Sequence, residues 1–286
     1  MLTTLAIITR ILSNSTANLF QKKASEKSSP IAVNLISYFI MSLLCIIPSL
    51  FVDWGQYDIN FWGNVILAGI LCTIGTIALI EALRIGDLSV LAPINSYKSV
   101  IGLIGAFFIL GELPSVKELI CVIFIVIGSY FVLDNKTKRF SVKTFFRRDI
   151  RLRIFALVCS GVEASVLKKI ILLSSYKISL ILWCFSGFLC SLIIFCFYKQ
   201  EHYTNKESKF AKLRDCSIIA LMLITMQLTT NYVFTQMAVA PALALFQLSS
   251  LVSVYFGYKI YHEDNILKKI LGTVIMIFAG MVLILK

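Results

Sequence analysis

Charge is scarce in this chain. Asp, Glu, Lys and Arg make up 15% of its 286 residues, whereas hydrophobic residues make up 58%. A soluble domain of this length needs far more charge to cover its surface. Long polar stretches are missing as well. The two longest, 134–153 and 199–215, are each under two dozen residues and cannot build a water-soluble domain. Histidine occurs only at His202 and His262, both in polar connections, which argues against a histidine metal site. The eight cysteines contain no Cys-x-x-Cys pair and lie almost all inside apolar runs, so they read as small apolar fillers. There is no H-E-x-x-H, no G-x-S-x-G and no pair of aspartates within a helix, which speaks against an intramembrane enzyme. A Walker-type loop is absent, which excludes an ATP-driven pump, and no pore loop or charged ring marks a channel. The first segment lacks the basic start and small-residue cleavage pattern of a removable leader. No metal, cofactor or enzymatic activity is expected.

What the chain does have is apolar length. About 20 apolar residues cross the hydrocarbon of a bilayer as a helix. Ten runs qualify: 2–21, 31–52, 61–83, 88–110, 116–133, 152–173, 178–198, 216–236, 241–260 and 266–285. Membrane strands would be about half as long and alternate polar with apolar residues. The expected fold is therefore an all-α, multi-pass integral membrane protein of ten transmembrane helices, with the plasma (cytoplasmic) membrane as its expected place.

Net charge is +12, which in a soluble protein would raise the question of nucleic acid. Its placement points to lipid instead. Of 27 basic residues, twenty fall in the odd-numbered connections between helices, including Lys22, Lys23, Arg84, Arg153, Lys259 and Lys269. Five fall on the opposite side, termini included: Lys117, Lys168, Lys169, Lys177 and Lys286. Basic connections stay in the cytoplasm, so both termini are expected outside it. The partners implied are the bilayer and a small molecule, with no nucleic acid; monomer and homodimer fit equally.

The first half of the chain repeats in the second. At a shift of 151 residues Ser249 falls on Lys98, Ser253 on Gly102, Gly257 on Ala106, Glu263 on Glu112 and Ala279 on Gly128. An earlier match, at a shift of 146, sets Lys168-Lys169 on Lys22-Lys23 and Ser174-Ser175 on Ser28-Ser29. The expected organisation is a five-helix repeat at 1–134, a basic connection at 135–150 and a second, inverted five-helix repeat at 151–286. Paired repeats around a midplane site are how many carriers alternate their access.

Each half ends in a small-residue-rich helix, a turn bearing a glutamate, and a last apolar helix with a late glycine. In the first half these are Gly102, Gly105, Gly111-Glu112-Leu113 and Gly128. In the second they are Ser253, Gly257, His262-Glu263-Asp264 and Gly280. On these features the chain resembles EamA-type members of the drug/metabolite transporter superfamily. The resemblance implies ten helices, a polar central cavity and secondary transport. His262 departs from the glycine expected in the second turn, and the resemblance implies cytoplasmic termini where the charge distribution implies the reverse. Ser249, Ser253 and Gly257 lie four apart on one face, as do Gly102 and Ala106, so the fourth and ninth helices are expected to cross closely.

Charges inside the membrane mark the candidate site, because each costs about 2.5–3.5 kcal/mol at the bilayer centre on insertion scales. Arg10, Lys98 and Glu163 lie midway along the first, fourth and sixth runs. Arg10, Asn14 and Asn18 share one helical stripe, which must face the interior. Asn95, beside Lys98, and Gln227, Asn231, Tyr232 and Gln247 extend the polar set. These ten residues are the substrate-binding candidates, around a cavity lined by helices one, four, six, eight and nine. Two bases facing one acid leave positive charge for an anionic or zwitterionic metabolite, such as an amino acid. Glu163 and Glu81 are the proton-coupling candidates, although Glu81 stands three residues before Arg84 and can pair with it. Glu163 can also serve as a structural ion-pair partner of Lys98 or Arg10. The reading is a secondary transporter, with an intramembrane enzyme or sensor as the alternative.

Overall fold

The computed structural model describes residues 1–98, 101, 116–133, 146–198, 209–237 and 239–284, and all regular structure among them is helical. In chain order the helices are α1 (Leu2–Ser25), α2 (Pro30–Ser49), α3 (Ile59–Ile85), the short α4 (Leu88–Leu91), a 3-10 turn (Pro93–Ser96), α5 (Val116–Leu133), α6 (Arg148–Leu173), α7 (Tyr176–Phe197), α8 (Lys209–Gln236), α9 (Val239–Phe246), α10 (Ser249–Tyr261) and α11 (Ile266–Ile284).

Local chemistry sets several helix starts. Ser29 Oγ accepts from Ala32 N at 3.1 Å, Asp58 Oδ1 from Phe61 N at 2.9 Å and Ser175 Oγ from Ile178 N at 3.1 Å. Each satisfies one N–H that has no partner within its own helix. Ser29 and Ser175 belong to the two serine pairs that recur along the sequence, and they do the same work, capping α2 and α7.

Among the described residues, four helices are long and apolar enough to cross a membrane by length and composition: Pro30–Ser49, Ile59–Ile85, Tyr176–Phe197 and Phe210–Gln236. Residues such as Leu43 and Ile47 on α2, Ile123 and Phe124 on α5, Ile193 on α7 and Phe278 on α11 are exposed. An apolar outer belt of this kind suits hydrocarbon. α1 and α6 are less apolar because Arg10, Asn14, Asn18, Arg153 and Glu163 lie within them.

The helices pair lengthwise. α3 packs along α6, α1 along α8, α5 along α11 and α2 along α7. The α5–α11 pair meets at two glycines. A Cβ added to Gly128 would stand 2.5 Å from Met276 Cγ and 2.8 Å from the Gly272 oxygen, so only hydrogen fits there. The expected crossing of the fourth and ninth helices involves Gly102 and Ala106, which lie outside the described residues. α10 itself packs on α1 and α4: Ser249 meets Asn14 and Ser15, and a Cβ on Gly257 would be 3.1 Å from Ser89 Cβ.

Two expected helices are interrupted. In the fourth, Pro93 offers no N–H and the chain tightens into a 3-10 turn, with Asn95 N donating to Ala92 O at 3.1 Å. In the ninth, α9 starts at Val239, before Pro241, and ends at Phe246 with no proline at the break. There Leu248 N bonds Leu245 O and Ser250 N bonds Gln247 O, while the Ser249 and Ser250 hydroxyls donate to Phe246 O and Gln247 O at 2.8 and 2.6 Å. Side-chain donors compete here for the carbonyls of the helix. α6 begins at Arg148, earlier than the expected 152, which moves Arg153 from a connection into a buried helical turn.

Candidate functional site

A cavity of about 140 Å³ opens between the helices. Of the expected residues, Arg10, Asn14, Asn18, Asn95, Lys98, Glu163 and Gln227 line it. Residues outside the expected set line it too, among them Tyr38, Cys72, Arg153 and Trp183. The walls therefore come also from α2, α3 and α7, three helices beyond the expected set.

Arg10 points from α1 toward the break between α9 and α10. Its Nη1 donates to Phe246 O at 3.2 Å, and its guanidinium lies 4.1 Å from the centre of the Phe246 ring. Arg10 Nε has no hydrogen-bond partner among the described residues. One turn on, Asn14 Nδ2 donates to Ser249 Oγ at 3.1 Å, and Ser15 Oγ donates to Ser249 O at 2.8 Å. The polar stripe of α1 is thereby tied to the second broken helix.

Arg153 does the corresponding work at the other break. From α6 its Nε donates to Leu91 O at 3.0 Å and its Nη2 to Asn95 Oδ1 at 3.2 Å. In the sequence Arg153 reads as part of the basic connection because Arg147, Arg148 and Arg151 closely precede it. Its burial within α6 corrects that assignment.

Glu163 Oε1 accepts from Trp183 Nε1 at 2.7 Å. Among the described residues no ion pair within 4.0 Å joins it to Arg10, Lys98 or Arg153, so the expected pairing of Glu163 with a base is not the arrangement present. Lys98 stands within electrostatic reach of Arg10, Arg153 and Glu163. Tyr38 Oη and Cys72 Sγ are in hydrogen-bond contact on the same wall as Glu163.

Four expected residues lie elsewhere. Asn231 is buried, accepting from Gln227 at 2.8 Å and donating to Tyr176 O at 3.2 Å. Tyr232 packs edge-on against Tyr176. Gln247 is buried at the α9–α10 break, where its amide has no partner among the described residues. Glu81 sits near the end of α3, held by Arg84 at 2.7 Å and Arg148 at 3.0 Å, so it is a helix-end ion-pair residue and not a cavity acid.

A second charged cluster gathers near the end of α1. Glu263, in the turn after α10, accepts from Leu88 N at 2.8 Å and Ser89 N at 2.9 Å, and also from Ser89 Oγ. Lys22 approaches its carboxylate at 3.6 Å and donates to Gly86 O at 2.7 Å. Lys269 approaches at 3.8 Å and donates to Ser89 Oγ at 2.7 Å. Lys22 and Lys269 count as connection bases in the sequence, but both are buried. The turn glutamate thus caps the N-terminus of α4 and neutralises two lysines.

Comparison with protein families bears on the first part of the chain. Residues 1–134 match the EamA-like transporter family. Over these residues the chain is similar to EamA-type sequences. Together with the apolar helices, this similarity supports a multi-pass integral membrane protein. A crystal structure described only as that of a protein is similar to it, with a TM-score of 0.63 over 98% of this chain and 95% of that one. At 10% identity this likeness shows the fold alone. Curated protein sequences give no match.

Proposed function

We propose that the chain is a secondary transporter of a small anionic or zwitterionic metabolite, built from two inverted five-helix repeats that alternate access to the cavity. The observation that carries the reading is the cavity's charge: among the described residues, Arg10, Lys98 and Arg153 share its lining with one acid, Glu163. Buried charge of this kind, in a membrane protein, belongs with a translocation path. In the proposed organisation, 1–134 and 151–286 are the repeats, 135–150 joins them, and the plasma membrane is the site.

Several pairings support the repeats. Exchanging the halves turns the α1–α8 contact into the α3–α6 contact and maps α2–α7 and α5–α11 onto themselves. Lys22 and Lys168, which align in sequence, donate to carbonyls near the ends of α3 and α8, at Gly86 and Phe234. Arg10 and Arg153 each reach the carbonyl that ends the first segment of a broken helix, at Phe246 and Leu91. Broken helices facing a central site are a recurrent carrier device. Glu163 is the proposed proton carrier, since it is the acid among the described residues of the cavity lining and is held by a neutral donor.

The test is flux in proteoliposomes without nucleotide, with a panel of radiolabelled metabolites. Saturable uptake that is lost in Lys98→Met, while the variant still inserts and folds, supports the reading. Absence of flux or binding for any small molecule, with well-folded protein, refutes it.

A further inference from the structure

We infer that the cavity is made for a substrate carrying two negative charges, with Arg10 and Arg153 as its paired ligands and Lys98 in the same lining. The inference rests on the transport reading above and deepens it. Among the described residues, three bases line the cavity against one carboxylate, which leaves two positive charges over. The present partners of the arginines are neutral: Phe246 O for Arg10, and Leu91 O with Asn95 Oδ1 for Arg153. Glu163 is turned to Trp183. The Glu263 cluster is built differently. There Lys22 and Lys269, equally buried, have a carboxylate within 3.6 and 3.8 Å. Where buried charge serves the fold, this chain supplies the acid; among the described residues of the cavity, it leaves the arginines without one.

Unpaired buried cations are costly, so a bound anion is stabilised by what the cavity lining lacks. A monoanion leaves one positive charge over, whereas a dicarboxylate or a phosphate monoester neutralises both. The arginine fork matches either group in two-point contact, and Arg10 Nε has a donor without a partner among the described residues. Arg10 comes from α1 and Arg153 from α6, each resting on the break of a different helix. A dianion bridging them would draw the guanidinium groups off those carbonyls and so act on both breaks at once.

The experiment measures uptake into proteoliposomes at mildly alkaline pH, together with thermal stabilisation of the purified protein. The probes are succinate and glycerol 3-phosphate as dianions, butyrate as a monoanion, and alanine as a zwitterion. The expected result is that a dianion stabilises the protein and is taken up at least about tenfold faster than butyrate, as befits one lost charge-assisted contact. Arg153→Gln should remove most of that preference, and Arg153→Lys, which keeps the charge, should retain more of it. Equal handling of butyrate and the dianions overturns the inference while leaving an anion transporter. Uptake of alanine alone overturns the inference and leaves the transport reading. Silence of every probe in both assays overturns the inference, and the transport reading falls with it only when the metabolite panel above is silent too; an undiminished preference in a folded Arg153→Gln removes Arg153 from the site.

Discussion

Replacing Glu263 by glutamine tests whether the turn glutamate holds the broken fourth helix in place. The carboxylate accepts from the Leu88 and Ser89 backbone N–H groups and faces Lys22 and Lys269, whose side chains are 9% and 2% exposed. Glutamine keeps one acceptor oxygen but no charge, so two lysines are left buried without this counter-ion. Breaking a buried pair in this way costs about 3–5 kcal/mol. At roughly 2–4 °C per kcal/mol for a chain of this size class, the melting temperature should fall by about 10 °C. The assay is thermal unfolding of the detergent-purified protein, followed by size-exclusion fluorescence. Adding Lys269→Met should recover part of the loss, because one uncompensated charge is removed. Glu81→Gln is the control. Its partners Arg84 and Arg148 are 23% and 71% exposed, and solvent-screened pairs contribute about 0–1 kcal/mol. A Glu263→Gln melting temperature within about 2 °C of the parent, or equal to that of Glu81→Gln, would refute the reasoning.

Three further outcomes are expected. Gly272→Leu should lower stability by several kcal/mol or stop transport, because its Cβ would stand 2.8 Å from Val132 Cγ2 and 2.9 Å from Phe131 Cβ, and overpacking commonly costs about 1–3 kcal/mol before backbone shifts are added; a melting and flux assay checks it. Glu163→Gln should preserve substrate exchange between two filled compartments but lose accumulation driven by a pH gradient, whereas unchanged accumulation would remove Glu163 as proton carrier. A fluorescent protein that matures only in the cytoplasm, fused after Lys286, should remain dark, since the bases concentrate on the opposite face; bright cells would reverse the orientation.

Much of this protein was legible without coordinates. Apolar runs too long for a soluble core announce a membrane protein, and the glutamate-bearing turns and small-residue helices carry the EamA resemblance that the family match bears out over residues 1–134. Helical spacing put Arg10, Asn14 and Asn18 on one stripe, and that stripe lines the cavity. These features depend on transfer free energy and on a 3.6-residue period, both of which are local properties of the chain.

The tertiary structure decided the rest, because a period tells which residues share a face but not what that face meets. Asn231 and Tyr232 are polar and near Gln227 in sequence, yet both meet Tyr176 at the start of α7 instead of the cavity. Arg153 reads as one more base in an arginine-rich connection until α6 is seen to begin before it and bury it against Leu91. Trp183, an ordinary aromatic in an apolar run, becomes the donor that holds Glu163. Lys22 and Lys269 read as orientation signals, but they are far apart in sequence and become a single buried network only when α1 and α11 converge on Glu263. The physical reason is the same for these charges: a buried charge is defined by its partners, and partners distant in sequence are chosen by packing.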